Sequence, residues 1–163
     1  MAGLADKQQI LRLLLERVAG DLQVMSAAQR AVVDGATHEE NKPENDKDTR
    51  ALEQSYLARG QAQRVVELQG QLNQLKALEL RDFSTGAAVA LGALVAVEDQ
   101  RETVHYFLAP AGGGLRLAVA GREVRVVTPQ SPIGQALIGK RQGDDLDLRT
   151  PQGINECSIA TVS

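Results

Sequence analysis

The chain has 163 residues, which is enough for one ordinary domain or for a small domain with an appendage. Its formal net charge is −3 and its basic residues are scattered, which argues against autonomous binding to duplex DNA. Only 2% of the residues are aromatic and Trp is absent, which disfavours base-stacking platforms and aromatic ligand pockets.

Residues from about Leu4 to Val32 have the periodicity of a helix. Their seam positions alternate steps of four and three, as in a coiled coil. These positions are Leu11, Leu15, Val18, Leu22, Met25, Gln29 and Val32. Because Gly35 is suited to the residue that follows a last helical turn, we expect the helix to end near Val32.

A second helix is predicted to begin at Asp48 or Thr49, either of which can cap it, and to end near Leu80. Its seam positions are Ala58, Gln61, Val65, Leu68, Leu72 and Leu75. A helix of this polarity is marginal alone, so the seam must be buried against a partner. The short connector favours the first helix, which predicts an antiparallel coiled-coil hairpin over residues 1–80. Pairing with helices of another molecule is the alternative.

The connector, residues 34–48, is acidic and would lie at the far end of the hairpin. Its acids are Asp34, Glu39, Glu40, Glu44, Asp46 and Asp48. They could meet a metal, or they could simply solvate a loop, as most charge runs do. His38 has no second His or Cys at ligand spacing, which argues against zinc.

After a break at residues 81–86 the period changes to two, which is typical of strands. Strands are predicted over 93–97, 103–108, 115–119, 122–127, 144–148 and 154–162. Between them, Ser131 and Pro132 suit the N-cap and first position of a short helix that Gly139 ends. Residues 81–163 are therefore expected to form a small antiparallel sheet with one helix, and the whole chain an α+β fold.

The lone Cys157 excludes an internal disulfide and suits a reducing compartment, and its place in a predicted strand indicates a small packed residue. The nearly apolar run Ala87 to Val97 is too short to span a bilayer, and the first residues do not have the pattern of a signal peptide. We expect a soluble cytoplasmic protein.

Residues 131–159, SPIGQALIGKRQGDDLDLRTPQGINECSI, resemble the C-terminal domain of the Gre family of bacterial transcript cleavage and elongation factors. The residues that match the family pattern are Ser131, Pro132, Ala136, Leu137, Gly139, Lys140, Asp144, Pro151 and Gly153. The preceding hairpin matches the family in order and length. The resemblance implies an FKBP-like domain that docks at the rim of the RNA polymerase secondary channel, and a coiled coil that enters the channel. It also implies partner-binding roles for Ser131, Pro132, Gly139 and Lys140.

At the tip the chain departs from the family, whose members resemble one another in a G-D-L-K-E-N-A-E-Y run. In the family, the Asp and Glu of this run help to hold a second magnesium ion and a water. Matching Glu40 to that Glu puts Thr37 in the Asp position, and matching Glu44 puts Asn41 there. The glutamate is retained in both cases and the aspartate in neither.

The resemblance therefore implies Glu40 and Glu44 as the catalytic candidates. It implies Glu39, Glu40 and Glu44 as ligands to a magnesium ion that the polymerase shares, with no cofactor of the protein's own.

The expected function is regulation of transcription elongation from the secondary channel of RNA polymerase. We do not expect an enzyme; at most the protein stimulates the RNA cleavage activity of the polymerase.

An active cleavage factor that rescues backtracked complexes is the main alternative. A prolyl isomerase is disfavoured because Tyr106 and Phe107 are adjacent and would point to opposite faces of a strand. A plain coiled-coil scaffold would leave the C-terminal pattern unexplained. We expect a monomer whose partner is RNA polymerase, with nascent RNA as a further contact and no membrane.

Overall fold

Two long helices form the N-terminal half of the chain. The computed structural model describes residues 3–39 and 47–163, in which α1 spans Leu4–Glu39 and α2 spans Lys47–Lys76. The prediction that the first helix ends near Val32 is wrong, because α1 continues through Gly35. A glycine costs a helix interior about 1 kcal/mol but does not end it. Helix α2 begins next to the predicted cap and ends before the predicted Leu80.

The chain divides into two units, one of which combines Met1–Leu15 with Gln74–Ser163, while the other is Glu16–Asn73. This division differs from the predicted boundary between residues 80 and 81. The start of α1 and the last residues of α2 are grouped with the C-terminal sheet, because their contacts are made there.

In the unit 16–73, the less exposed side chains follow the predicted seam. Seam positions that are buried or half-buried are Val18, Leu22, Met25, Gln29, Val32, Ala58, Gln61, Val65, Leu68 and Leu72. Apolar residues off the seam, such as Val24 and Val66, are exposed. Each helix segment of this unit therefore has one covered face, as the spacing of threes and fours predicts. Within residues 3–39 and 47–163, no helix combines the length and apolar character needed to cross a membrane.

Six strands and one short helix form the C-terminal half. The strands are β1 (Leu94–Glu98), β2 (Thr103–Leu108), β3 (Arg116–Val119), β4 (Arg122–Val127), β5 (Asp145–Thr150) and β6 (Gly153–Val162). Helix α3 spans Pro132–Leu137, between β4 and β5. These bounds confirm the predicted elements to within one or two residues, and the architecture is α+β.

The strand order is β3-β4-β2-β1-β6-β5, and the pairing of β2 with β4 is parallel. The sheet is therefore mixed, whereas a purely antiparallel sheet was predicted. The cause is the placement of β3 at the edge: β4 returns between β3 and β2, and so runs in the direction of β2. The likeness to FKBP stays a prediction.

One face of the sheet carries the main hydrophobic core, on which α3 packs. Its members include Val95, Tyr106, Leu137, Leu146 and Ile159. Because side chains alternate along a strand, Phe107 lies on the face opposite to Tyr106, as predicted for these two adjacent rings.

That opposite face is also buried, and the start of α1 lies on its side of the sheet, where Asp6 pairs with Arg122 at 3.6 Å. Phe107 lies there with its parallel neighbours Val124 and Val126, and all three are almost fully buried. In the same unit, Ile10 and Leu14 of α1 are 0% exposed. In this part of α1 the fully buried stripe is therefore Lys7, Ile10 and Leu14, and the predicted seam residues Leu11 and Leu15 are only half-buried.

Candidate functional site

Helix α3 is held by the side chain that caps it. The Oγ of Ser131 accepts a hydrogen bond from the backbone N–H of Gly134 (3.0 Å) and donates one to the carbonyl of Thr128 (2.8 Å). Ser131 has extended backbone angles and Pro132 occupies the first turn, as predicted. The hydroxyl of Ser131 therefore caps the helix, and this residue is half-buried. Pro132 beside it is exposed.

Gly134 allows α3 to lie against the loop that precedes it. A Cβ built on Gly134 would lie 1.8 Å from the carbonyl oxygen of Thr128, so only glycine fits the observed backbone. Gly134 is not among the residues predicted from the sequence. A glycine just after Ser-Pro, inside a predicted helix, is the signal that could have identified it.

The segment after α3 is anchored to the residues before β1. Gly139 has φ +79°, a conformation that favours glycine, and its N–H donates to the carbonyl of Val89 (3.0 Å). The N–H of Val89 donates in turn to the carbonyl of Lys140 (2.8 Å). Both of these predicted partner-binding residues thus help to end α3 through their backbone hydrogen bonds. Gly139 is also exposed and Lys140 half-buried, so both lie at the surface.

A shallow groove of about 170 Å³ lies between α3 and the edge strand β5. Its lining residues are Pro132, Ile133, Ala136, Asp147, Leu148 and Arg149. Of the four predicted partner-binding residues, Pro132 lines the groove, and Ser131, Gly139 and Lys140 do not. Asp147 and Arg149 are not among the predicted site residues, although their alternation with buried leucines along β5 is a signal that could have identified them.

A second, wider groove of about 560 Å³ lies along β1, β6 and β5 and is acidic. Its carboxylates are Glu98, Asp99, Asp145, Asp147 and Glu156. Asp147 and Glu156 are direct cross-strand partners, an arrangement that repulsion between like charges disfavours. In the described part of the chain, no group of three or more His, Cys, Asp or Glu side chains is arranged to hold a metal ion.

Cys157 borders this acidic groove and is buried, which confirms its prediction as a packed strand residue. Burial raises the pKa of its thiol, and the nearby carboxylates of Asp99 and Asp147 raise it further. Burial likewise raises the pKa of Tyr106. Neither Tyr106 nor Phe107 lines either groove.

The tip residues are placed only in part. Glu39 is the last residue of α1, and its side chain is not described. Glu40 and Glu44, the two catalytic candidates, lie outside the described residues. Their roles, and that of Glu39 toward magnesium, stay predictions.

Residues 84–163, which contain the sheet, α3 and both grooves, match the family described as transcription elongation factor, GreA/GreB, C-term. The C-terminal half of the chain is a Gre-family domain. The curated relatives that this chain matches carry the name transcription elongation factor GreA.

The GreA of Polaromonas naphthalenivorans (strain CJ2) is 30% identical over 104 residues, which cover 61% of this chain and 60% of that protein. The chain thus spans less than two thirds of that relative in the match. The GreA of Syntrophobacter fumaroxidans (strain DSM 10017 / MPOB) is 28% identical over 153 residues, covering 90% of this chain and 92% of the relative.

Among solved structures, the GreA factor homolog 1 (Gfh1) of Thermus thermophilus is similar with a TM-score of 0.41 and 20% identity. The similarity covers 91% of this chain and 94% of that one. The GreA/GreB of Nitrosomonas europaea has a TM-score of 0.38 and 20% identity, over 59% of this chain and 78% of that one.

Proposed function

We propose that this Gre factor binds RNA polymerase in the bacterial cytoplasm and regulates elongation from the secondary channel, with its sheet domain as the anchor. The observation that carries the proposal is the α3–β5 groove, which lies inside the family-matched residues. It combines an apolar floor, Ile133, Ala136 and Leu148, with one anion and one cation, Asp147 and Arg149. A small apolar patch rimmed by charge is the usual composition of a protein-binding hot spot.

The rigidity of α3 supports the same proposal. Its cap, its glycine contact with Thr128 and the bonds of Gly139 fix the helix against the sheet before any partner arrives. A surface that is ordered in advance loses less conformational entropy on binding.

The anchor can be tested with two charge reversals of the same chemistry. Arg149→Glu changes the groove, and Arg101→Glu changes an exposed position in the turn between β1 and β2 that lines neither groove. We expect Arg149→Glu to weaken binding to core polymerase about tenfold, the effect of about 1.4 kcal/mol, because hot-spot side chains contribute at least this much. Arg101→Glu should bind like the parent. Equal affinities for all three proteins would show that the groove is not the anchor.

For the tip, we propose a channel-occupying regulator with little cleavage activity, which is not an enzyme itself. Glu40 or Glu44 would offer a carboxylate oxygen to a magnesium ion held by the polymerase. With Thr37 or Asn41 in place of the family's aspartate, the second carboxylate that would hold the attacking water is missing. The acids would then alter catalysis by bound polymerase more than they promote hydrolysis.

This proposal is tested by replacing Glu39, Glu40 and Glu44 together by Gln, which removes charge and keeps size. The matched control replaces Glu53, Glu67 and Glu79, three exposed glutamates outside the tip. We expect both variants to bind polymerase, and only the tip variant to lose the effect on the rate of nucleotide addition.

Vigorous cleavage of RNA in backtracked complexes by the parent, lost in the tip variant, would instead establish an active cleavage factor. If the tip variant and the control both behave like the parent, the tip acids only solvate the loop.

A further inference from the structure

Lys7 is the only charged residue that is fully buried among residues 3–34 and 49–163, where side chains are described. Its ammonium group donates a hydrogen bond to the backbone carbonyl of Arg81. The same Nζ lies 4.8 Å from the centre of the Phe83 ring, and the guanidinium of Arg81 lies 4.7 Å from that centre. Two cations therefore share one aromatic ring in the segment that leads into the sheet.

The burial of this lysine has an energetic cost. Removing an ammonium from water is unfavourable unless its hydrogen bonds are replaced, and the structure gives Lys7 one hydrogen-bond acceptor and the face of one ring. Burial lowers the pKa of Lys7, with Arg81 lowering it further and Asp82 opposing the shift. An apolar residue of similar length would avoid this cost, so stability alone does not account for a lysine here.

The neighbouring residue makes a second directional contact. Asp6 pairs with Arg122 at 3.6 Å, and Arg122 lies 3.4 Å from Nε2 of His105. Consecutive helical residues project about 100° apart around the axis. The start of α1 is thus fixed toward the 81–83 segment by Lys7 and toward strands β4 and β2 by Asp6.

The apolar contacts of the same helix segment cannot supply this selectivity. Ile10 and Leu14 are buried, and Leu14 lies against Gly112. Such contacts are non-directional, so a helix that slides or rotates over the sheet can replace one set by another at similar free energy. Hydrogen bonds and ring contacts to a charged group depend on position and direction, so a shifted helix loses them.

We propose that Lys7 is a positioning residue, which selects one placement of the start of α1 on the sheet unit at a cost in stability. Asp6 supports this placement through its ion pair with Arg122 on the adjoining side of the helix. The inference does not depend on polymerase binding, because it concerns contacts within one unit of the chain.

The test uses the full chain with Lys7→Met, which keeps the length and removes the charge, and Lys7→Arg, which keeps a cation. Lys76→Met is the matched control, since Lys76 is an exposed lysine in the last turn of α2. Unfolding by urea measures stability, and amide NMR spectra report whether residues 4–15 and 81–90 have one conformation or several.

We expect Lys7→Met to be at least as stable as the parent but to show split or broadened amide signals in these two segments. Lys7→Arg should restore single signals, and Lys76→Met should leave spectrum and stability unchanged. Single sharp signals in Lys7→Met would overturn the proposal. A loss of stability or failure to fold in that variant would also overturn it, because the charge would then stabilise the fold rather than select a placement.

Discussion

Replacing Gly134 by Ala would push a methyl group into the loop before α3. The new Cβ would lie 1.8 Å from the carbonyl oxygen of Thr128, and contacts below 3.0 Å are essentially never observed. The backbone on one side must therefore move by at least the difference, about 1.2 Å. This carbonyl is the acceptor for both the N–H and the hydroxyl of Ser131, at 3.0 and 2.8 Å.

The expected loss in the free energy of unfolding follows from these contacts. Loss of two hydrogen bonds costs about 2 kcal/mol, at about 1 kcal/mol each. Overpacking of a buried site adds about 1–3 kcal/mol. The higher helix propensity of Ala returns about 1 kcal/mol. The net expectation for Gly134→Ala is a loss of about 2–4 kcal/mol in the free energy of unfolding of the sheet unit.

Urea denaturation followed by the amide NMR signals of the sheet residues would measure this loss. The matched control is Gly60→Ala in α2, where a Cβ would meet nothing within 4 Å. There the same substitution should stabilise the helix by about 1 kcal/mol, so the two changes are predicted to have opposite signs. If Gly134→Ala is as stable as the parent, the loop before α3 is not fixed by the cap, and α3 is not a rigid docking helix.

Three further predictions concern the two units. Leu68→Asp, at a seam position that is 2% exposed, should cost the helical unit about 4 kcal/mol, so that the helical circular dichroism falls while the sheet signals in NMR persist. A fragment of residues 81–163 should be aggregation-prone in light scattering, because without the start of α1 it exposes Phe107, Val124 and Val126. The stability advantage of Lys7→Met over the parent should shrink as the pH rises toward 10.5, the ordinary pKa of lysine. Because the pKa of Lys7 is lower in the folded state, the unfolded parent binds more protons than the folded parent as the pH approaches 10.5. The folded state of the parent is therefore stabilised as the pH rises.

Each of these three predictions has an outcome that would contradict it. Loss of the sheet signals together with the helical signal in Leu68→Asp would mean that the two units unfold as one. A fragment 81–163 that is monomeric and as stable as the sheet in the full chain would show that α1 is not needed to cover that face. A pH-independent difference between Lys7→Met and the parent would mean that the Lys7 ammonium titrates alike in the folded and unfolded chain.

The secondary structure of the C-terminal half could be predicted from the sequence because it depends on neighbouring residues. Strands β2 and β4 and helix α3 have the predicted bounds, since alternation of apolar residues and the Ser131-Pro132 cap act over a few neighbouring residues. The seam of threes and fours likewise identified the covered faces of the two helices within residues 16–73, but not the buried stripe of Lys7, Ile10 and Leu14 in the first turns of α1. Gly35 misled the prediction of the end of α1, because a glycine only lowers helix stability and the surrounding turns continue the helix.

The candidate site was predictable in part. Pro132 lines the groove, and it was found because it belongs to the family pattern. Arg149 comes from a strand that is distant in sequence, so no local period could place it beside Pro132. The roles of Glu40 and Glu44 rest on the resemblance alone.

The sequence by itself determined the kind of each element, the seam, the cap of α3 and the family, because these depend on residues close together in the chain. Only the tertiary structure decided that β4 runs parallel to β2, that Gly134 meets Thr128, and that Lys7 is buried beneath Phe83. It also decided that the first turns of α1 belong with the sheet. Each of these depends on a contact between segments far apart in sequence, where the free energy comes from burying one surface against another rather than from local propensity.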